Sequence, residues 1–199
     1  FAVTDREWTR ASVSWTPLSG DTVGNTHSTP DLSTLVQAVV DRSGWSEGNS
    51  MAFFINGTGE RTAESFDGGG LAAAPQLAIT YLAERNPTAS PVTPHFVAVT
   101  IDSRVTTSAD DVEQVAADGT VYTDSSDLEI VDDATYAGLQ SAVGLRFRAN
   151  LSIPQGSAIS SAYITFTTAE ADSDPTYRRI FAENSDDAAE FSTTNFAVT

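Results

Sequence analysis

The chain has 199 residues, 40% hydrophobic and 19% charged, the composition of a folded protein with one good core and not of a disordered tail. Its 27 carboxylates face ten basic residues, all of them arginine, for a net charge of −17, which argues against nucleic acid or an anionic membrane surface as partner. Cysteine is absent, so disulfides, thiolate nucleophiles and cysteine metal sites are excluded.

From the N-terminus, Ser12–Thr16 is the first strand candidate. A helix is expected next: Thr29 as N-cap, Pro30 in the first turn and Asp31 beside the positive end of the dipole precede an apolar stripe of Leu32, Leu35, Val36, Val39 and Val40. Arg42 falls in its last turn and Gly44 ends it. Burying that stripe contributes about 8–15 kcal/mol before entropy is subtracted, so the helix must dock on something. Met51–Ile55 and Gln76–Tyr81 read as strands, Asn56-Gly57 as a turn and Phe66–Gly70 as a loop.

Pro87, Pro91 and Pro94 stiffen residues 86–96 into an extended linker, the natural boundary of the chain. Beyond it Val97–Ile101, Leu128–Val131, Val143–Phe147, Ala162–Phe166 and Tyr177–Phe181 alternate as half-buried strands do, with a turn at Ile153–Gly156. Many short strands and one helix predict an all-β sandwich. No apolar run is long enough to span a bilayer, and no export signal is recognisable, so membrane insertion is not expected.

The string Phe1-Ala2-Val3-Thr4 returns as Phe196-Ala197-Val198-Thr199, a period of 195 residues. Repetition on the scale of a whole domain points to a tandem array or a fibre of like units.

Asn150-Leu151-Ser152-Ile153-Pro154-Gln155-Gly156-Ser157-Ala158-Ile159-Ser160-Ser161-Ala162 resembles the IP-x-G-A-x-I-x-S-A stretch of DNRLRE-type jelly-roll domains, which are carbohydrate-binding-module-like. Gly144–Phe147 resembles the strand before that stretch. Trp8-Thr9 through Val13-Ser14-Trp15, then the helix, Gly48–Phe53, Ser65–Asp67 and Ala74–Tyr81, follow the second half of the family in order. The six-letter string naming the family is absent, and the two halves are reversed.

The resemblance implies a jelly-roll sandwich with one short α-helix, cut as a circular permutation of a tandem repeat. Residues 1–85 are then the C-terminal half, 86–96 the linker and 97–199 the N-terminal half, completed by 5–85 of the next copy. Covalent tandem copies, separate subunits sharing sandwiches head to tail, and a self-closed permuted monomer all satisfy this order. The self-closed form turns the expectation from a fibre toward an ordinary ligand-binding monomer.

Residues 97–199 carry 17 carboxylates against 5 arginines. Calcium requires six to eight oxygens, and Asp110, Asp111, Glu113, Asp127, Glu129, Glu170 and Asp172 are the candidate ligands, though no EF-hand spacing is present. A solvated acidic rim is the alternative. Trp8, Trp45, Tyr122 and Tyr136 are candidates for stacking on a polysaccharide, against burial in the core. Asn56 and Asn150 head glycosylation sequons. His27 and His95 stand alone and no Gly-x-Ser-x-Gly elbow occurs, so no enzyme activity is expected. The reading is a non-catalytic structural unit of an extracellular filament or cell-surface stalk, stiffened by Ca2+, with copies of itself as partners. The alternative is a carbohydrate-binding or adhesive module of a large secreted protein.

Overall fold

Runs of β-branched and aromatic residues fold into short strands, as their fit to a pleated surface requires. A computed structural model describes residues 3, 5–16, 22–85, 95–131, 141–171 and 175–193. In order they form β1 (Val13–Trp15), β2 (Thr26–Ser28), α1 (Ser33–Val40), β3 (Met51–Thr58), β4 (Thr62–Glu64), α2 (Phe66–Ala73) and β5 (Gln76–Arg85). There follow β6 (His95–Arg104), a 3-10 turn at Ser108–Asp110, β7 (Asp111–Val115), β8 (Val121–Tyr122) and β9 (Asp127–Glu129). Last come β10 (Ser141–Phe147), β11 (Ala158–Thr167) and β12 (Tyr177–Ala182).

Two antiparallel sheets make an all-β sandwich: six strands ordered β1-β12-β3-β10-β7-β8 and four ordered β2-β11-β5-β6, with β4 and β9 paired as a ribbon. Phe53, Ile55, Val143, Leu145, Phe147 and Ile180 of the first sheet and Leu77, Ile79, Tyr81, Ala162, Ile164 and Phe166 of the second share one core. Helix α1 adds Leu35, Val36, Val39 and Val40 to it. Strand β3 is buried on both faces, because Ala52 and Phe54 point outward into a second apolar cluster with Val3, Val112, Ala188 and Phe191.

The helix begins later than expected. Thr29 does not cap it: its hydroxyl accepts a hydrogen bond from the Ile164 N–H and its own N–H donates to the Ile164 carbonyl, extending the pairing with β11. Asp31 does the fastening, its Oδ1 accepting from the N–H groups of Ser33 and Ala162, both at 2.9 Å. A second helix, α2, forms where a loop is expected, since the Ser65 hydroxyl accepts from the Gly68 N–H as N-cap. The expectation of one helix is corrected to two.

Asn56-Gly57 is not a turn. Gly57 lies inside β3 opposite Arg178, at φ 149°, where a Cβ would strike the Tyr177 carbonyl. Glycine serves close backbone approach here. The acidic group Asp110–Glu113 spans the end of the 3-10 turn and the start of β7, whose five residues are all buried.

The linker expected at 86–96 ends earlier, because His95 and Phe96 belong to β6. Residues 86–94 lie outside the described residues, and Arg85 and His95 on either side are register partners in one sheet. The completion of 97–199 expected from a next copy is made within the chain: its own β1, β2, β3 and β5 supply the neighbouring strands. Among the described residues, no helix is long and apolar enough to cross a membrane.

Candidate functional site at the seam between the halves

First-half and second-half strands alternate across both sheets. Seven pairings, β1·β12, β3·β12, β3·β10, β2·β11, β5·β11, β5·β6 and β4·β9, join residues before 86 to residues after 94. Only β10·β7 and β7·β8 lie within one half among the described strands. Neither half has a contiguous four-stranded layer of its own.

The seam continues beyond the strands. Val3, fully buried, packs with Phe54, Val112 and Phe191 against the outer face of the six-stranded sheet. Its carbonyl accepts from the Trp8 indole at 3.2 Å. The Arg6 guanidinium pairs with Glu183 at 2.8 Å, donates to the Glu190 carbonyl at 2.8 Å and lies over the Phe191 ring. Burial pushes the Glu183 carboxyl above its ordinary range, outweighing the opposing pull of Arg6. Backbone bonds from Thr9 to Ala182 and from Asn184 to Glu7 zip the two segments together. Gly144 floors the cluster: a Cβ there would lie 2.8 Å from Phe191 and 3.0 Å from Val3.

The acidic candidates come together in part. Asp110 is fully buried, its carboxylate bound by Arg146 at 2.7 Å, Arg148 at 2.9 Å and the Thr107 hydroxyl at 2.9 Å. Asp111 accepts from the Phe66 N–H at 2.7 Å through Oδ2, while its buried Oδ1 has no hydrogen-bond partner. Burial, with the charges of Asp67 and Asp110 adding to it against the Phe66 N–H, pushes its carboxyl up to about 7. Glu113 accepts from the Glu129 N–H, Glu129 from the Thr62 hydroxyl, and Asp127 from the Ser125 hydroxyl. Glu170 is exposed after β11, and Asp172 lies outside the described residues. No three acidic, histidine or cysteine side chains among the described residues converge as a metal cage.

Among the described residues, the aromatic candidates Trp8, Trp45 and Tyr122 do not form a platform. Trp45 is buried, its indole donating to the Ile153 carbonyl at 2.9 Å. Trp8 stacks on Phe54 at 5.1 Å and contacts Phe181 at 5.0 Å. Tyr122 is half-buried in β8, and Tyr136 lies outside the described residues. Asn56 is a strand residue of β3, whereas Asn150 is exposed at φ 61°. The residues that sequence reasoning missed are Arg6, Glu183 and Phe191, with Arg6 177 positions from Glu183 along the chain.

Comparison with family models, with curated proteins and with solved structures returns no match.

Proposed function

We propose that the chain, which can close its own sandwich, is the repeating, non-catalytic unit of an extracellular filament or surface stalk, in which copies join by exchanging halves across the seam in place of that closure. The supporting observation is the alternation of the two halves in both sheets. A half from a neighbouring copy can meet the same strands as the chain's own half, so exchange can keep the seven pairings across the seam, set against association entropy and the cost of opening the hinge. Pro87, Pro91 and Pro94 lie between the halves, where an exchange would need its hinge.

The test is light scattering and electron microscopy of the purified chain over a concentration series. Polymers that collapse to single-chain mass when Pro87, Pro91 and Pro94 are replaced by glycine support the reading. Single-chain mass at every concentration, with the prolines in place, removes it.

Calcium enters this proposal through one atom, the open Oδ1 of Asp111. A thermal melt with millimolar calcium against chelator decides it. A calcium-dependent rise that Asp111→Asn abolishes supports the ion, and an unchanged melt removes it.

A further inference from the structure

We infer that the outer edge of β6 is where a second copy of the chain pairs strand to strand, antiparallel about a two-fold axis, so that the four-stranded sheet continues through both molecules. A closed chain and one that has exchanged halves leave β6 outermost alike, so this contact does not depend on the filament. Among the described strands, three of the four sheet edges are blunted by shortness: β1 and β2 have three residues each and β8 has two. Strand β6 has ten. Its register with β5 runs unbroken from His95↔Arg85 to Arg104↔Gln76, with no bulge and no proline to spoil the edge. Among the described residues, nothing hydrogen-bonds to its other side. A regular row of N–H and C=O groups matches one kind of occupant, another extended backbone. Val99 and Ile101, turned inward opposite Tyr81 and Ile79, are only half-buried there, and an added strand would cover them.

The sequence of β6 selects its own copy as that strand. Opposed residues must share a face, so the registers that pair nearly all of β6 with itself put either Val99 or Thr100 on the axis. With Thr100 there, Val99 of each copy faces Ile101 of the other and Val97 faces Ser103, so the half-buried inner residues cover one another. On the outer face Phe96, 55% exposed, comes opposite Arg104, Ala98 opposite Asp102, and Thr100 opposite Thr100. A cation then meets a ring and no charge meets its like. Thr100 already bonds the Thr80 hydroxyl at 2.9 Å, and its counterpart offers the same cross-strand pairing from the other side. With Val99 on the axis, Phe96 would face Asp102 and Arg104 would fall past the end of the opposing strand, so the Thr100 register is preferred. The strand carries one carboxylate and one guanidinium, a balanced edge in a chain of net charge −17. Charges farther off are screened beyond about 8 Å at physiological salt. A pair of this kind closes on itself, unlike the head-to-tail exchange of halves.

The chain has no cysteine, so one introduced thiol reports the register. Thr100→Cys sets two thiols directly opposite across the axis, whereas Ala98→Cys leaves them roughly 14 Å apart along the strands. Both side chains are exposed, so neither change should disturb the fold. Under mild oxidation of the full chain, Thr100→Cys is expected to form a covalent dimer about tenfold faster than Ala98→Cys or more. Sedimentation of the unmodified chain, in a series reaching about 1 mM because one strand pair is less than a standard interface, should show a dimer. Ala98→Asp, which sets a carboxylate against Asp102 twice, should raise its dissociation constant about threefold or more, and Ala98→Lys should lower it by a like factor. Cross-linking at Thr100 within longer polymers supports the contact equally, because exchange of halves keeps this edge. Equal cross-linking of the two cysteine variants, or effects of one sign from Ala98→Asp and Ala98→Lys, overturns the proposal. So does single-chain mass throughout the series, which would leave the edge to a strand of another protein.

Discussion

The guanidinium carbon of Arg6 lies 4.2 Å from the centre of the Phe191 ring while its Nη1 pairs with Glu183 at 2.8 Å. One side chain near the start of the chain thus joins a strand end and a closing aromatic from its last part. Breaking a buried pair leaves an uncompensated charge, which costs about 3–5 kcal/mol. Arg6→Ala is therefore expected to lower unfolding free energy by that order, read from denaturant midpoints. Glu183→Gln should cost less, since a neutral acceptor still faces the guanidinium and the cation keeps its contact with the ring. Equal and small effects of both would show the seam to be peripheral to stability.

Gly144 allows a sharper test of the same region. A methyl there presses on Phe191 and Val3 and not on the main core. Gly144→Ala should cost about 1–3 kcal/mol through overpacking. Hydrogen exchange should quicken around 3–9 and 183–191 before it does in β3 or β10. Uniform loss of protection would instead mean that the outer cluster and the core unfold as one.

Asp111 makes stability depend on pH in an unusual direction for a carboxylate. Its folded carboxyl titrates at about 7 against 3.8 when unperturbed, so the folded state holds a proton that the unfolded chain has released. Stability from this group is complete below the unfolded value and is lost as pH rises through about 7. The full loss is on the order of 4 kcal/mol, at about 1.4 kcal/mol per pH unit. Asp111→Asn should flatten the slope between about pH 4 and 7, the span between the two values, in urea titrations at stepped pH. A slope that survives the substitution would place its source elsewhere.

Much of the sandwich is legible in the sequence because alternation is a local signal. The cores of β1, β3, β5, β6, β10, β11 and β12 all coincide with runs of Val, Ile, Phe, Tyr or Trp. Strands β2, β4 and β8 have two or three residues each and exist through pairing, not pattern. Strand β7 escaped notice because Asp111 and Glu113 read as solvent-facing, while in the fold their carboxylates are occupied by backbone N–H groups of Phe66 and Glu129. Gly68-Gly69-Gly70 reads as loop, but at Gly68 the Ser126 carbonyl comes so close that no side chain fits, and a helix with glycine there fills the space. Trp8 and Trp45 illustrate a different limit: composition names an aromatic without saying which side of a sheet it occupies. For the same reason Tyr163 was readable as a strand residue and not as an exposed one, while Phe96 fell within the expected linker.

Asp31 supplies a contrasting pH dependence. Burial opposes its ionisation, but hydrogen bonds from the N–H groups of Ala162 and Ser33 and from the Ser33 hydroxyl prevail and hold its carboxyl below the ordinary range. Its contribution is therefore present above the unfolded value and lost as pH falls through the lower folded one. The carboxylate fastens the first turn of α1 to β11, so Asp31→Ala should cost about 1–2 kcal/mol, the usual loss of a helix-capping acceptor. Asp31→Asn keeps one acceptor oxygen and should recover part of that stability while losing the acid-side pH dependence. Guanidinium melts of the three proteins at neutral and acidic pH check this. If Asp31→Ala matches the parent at neutral pH, the helix is held by Leu35, Val36, Val39 and Val40 alone, whose full burial is the competing source of its docking energy.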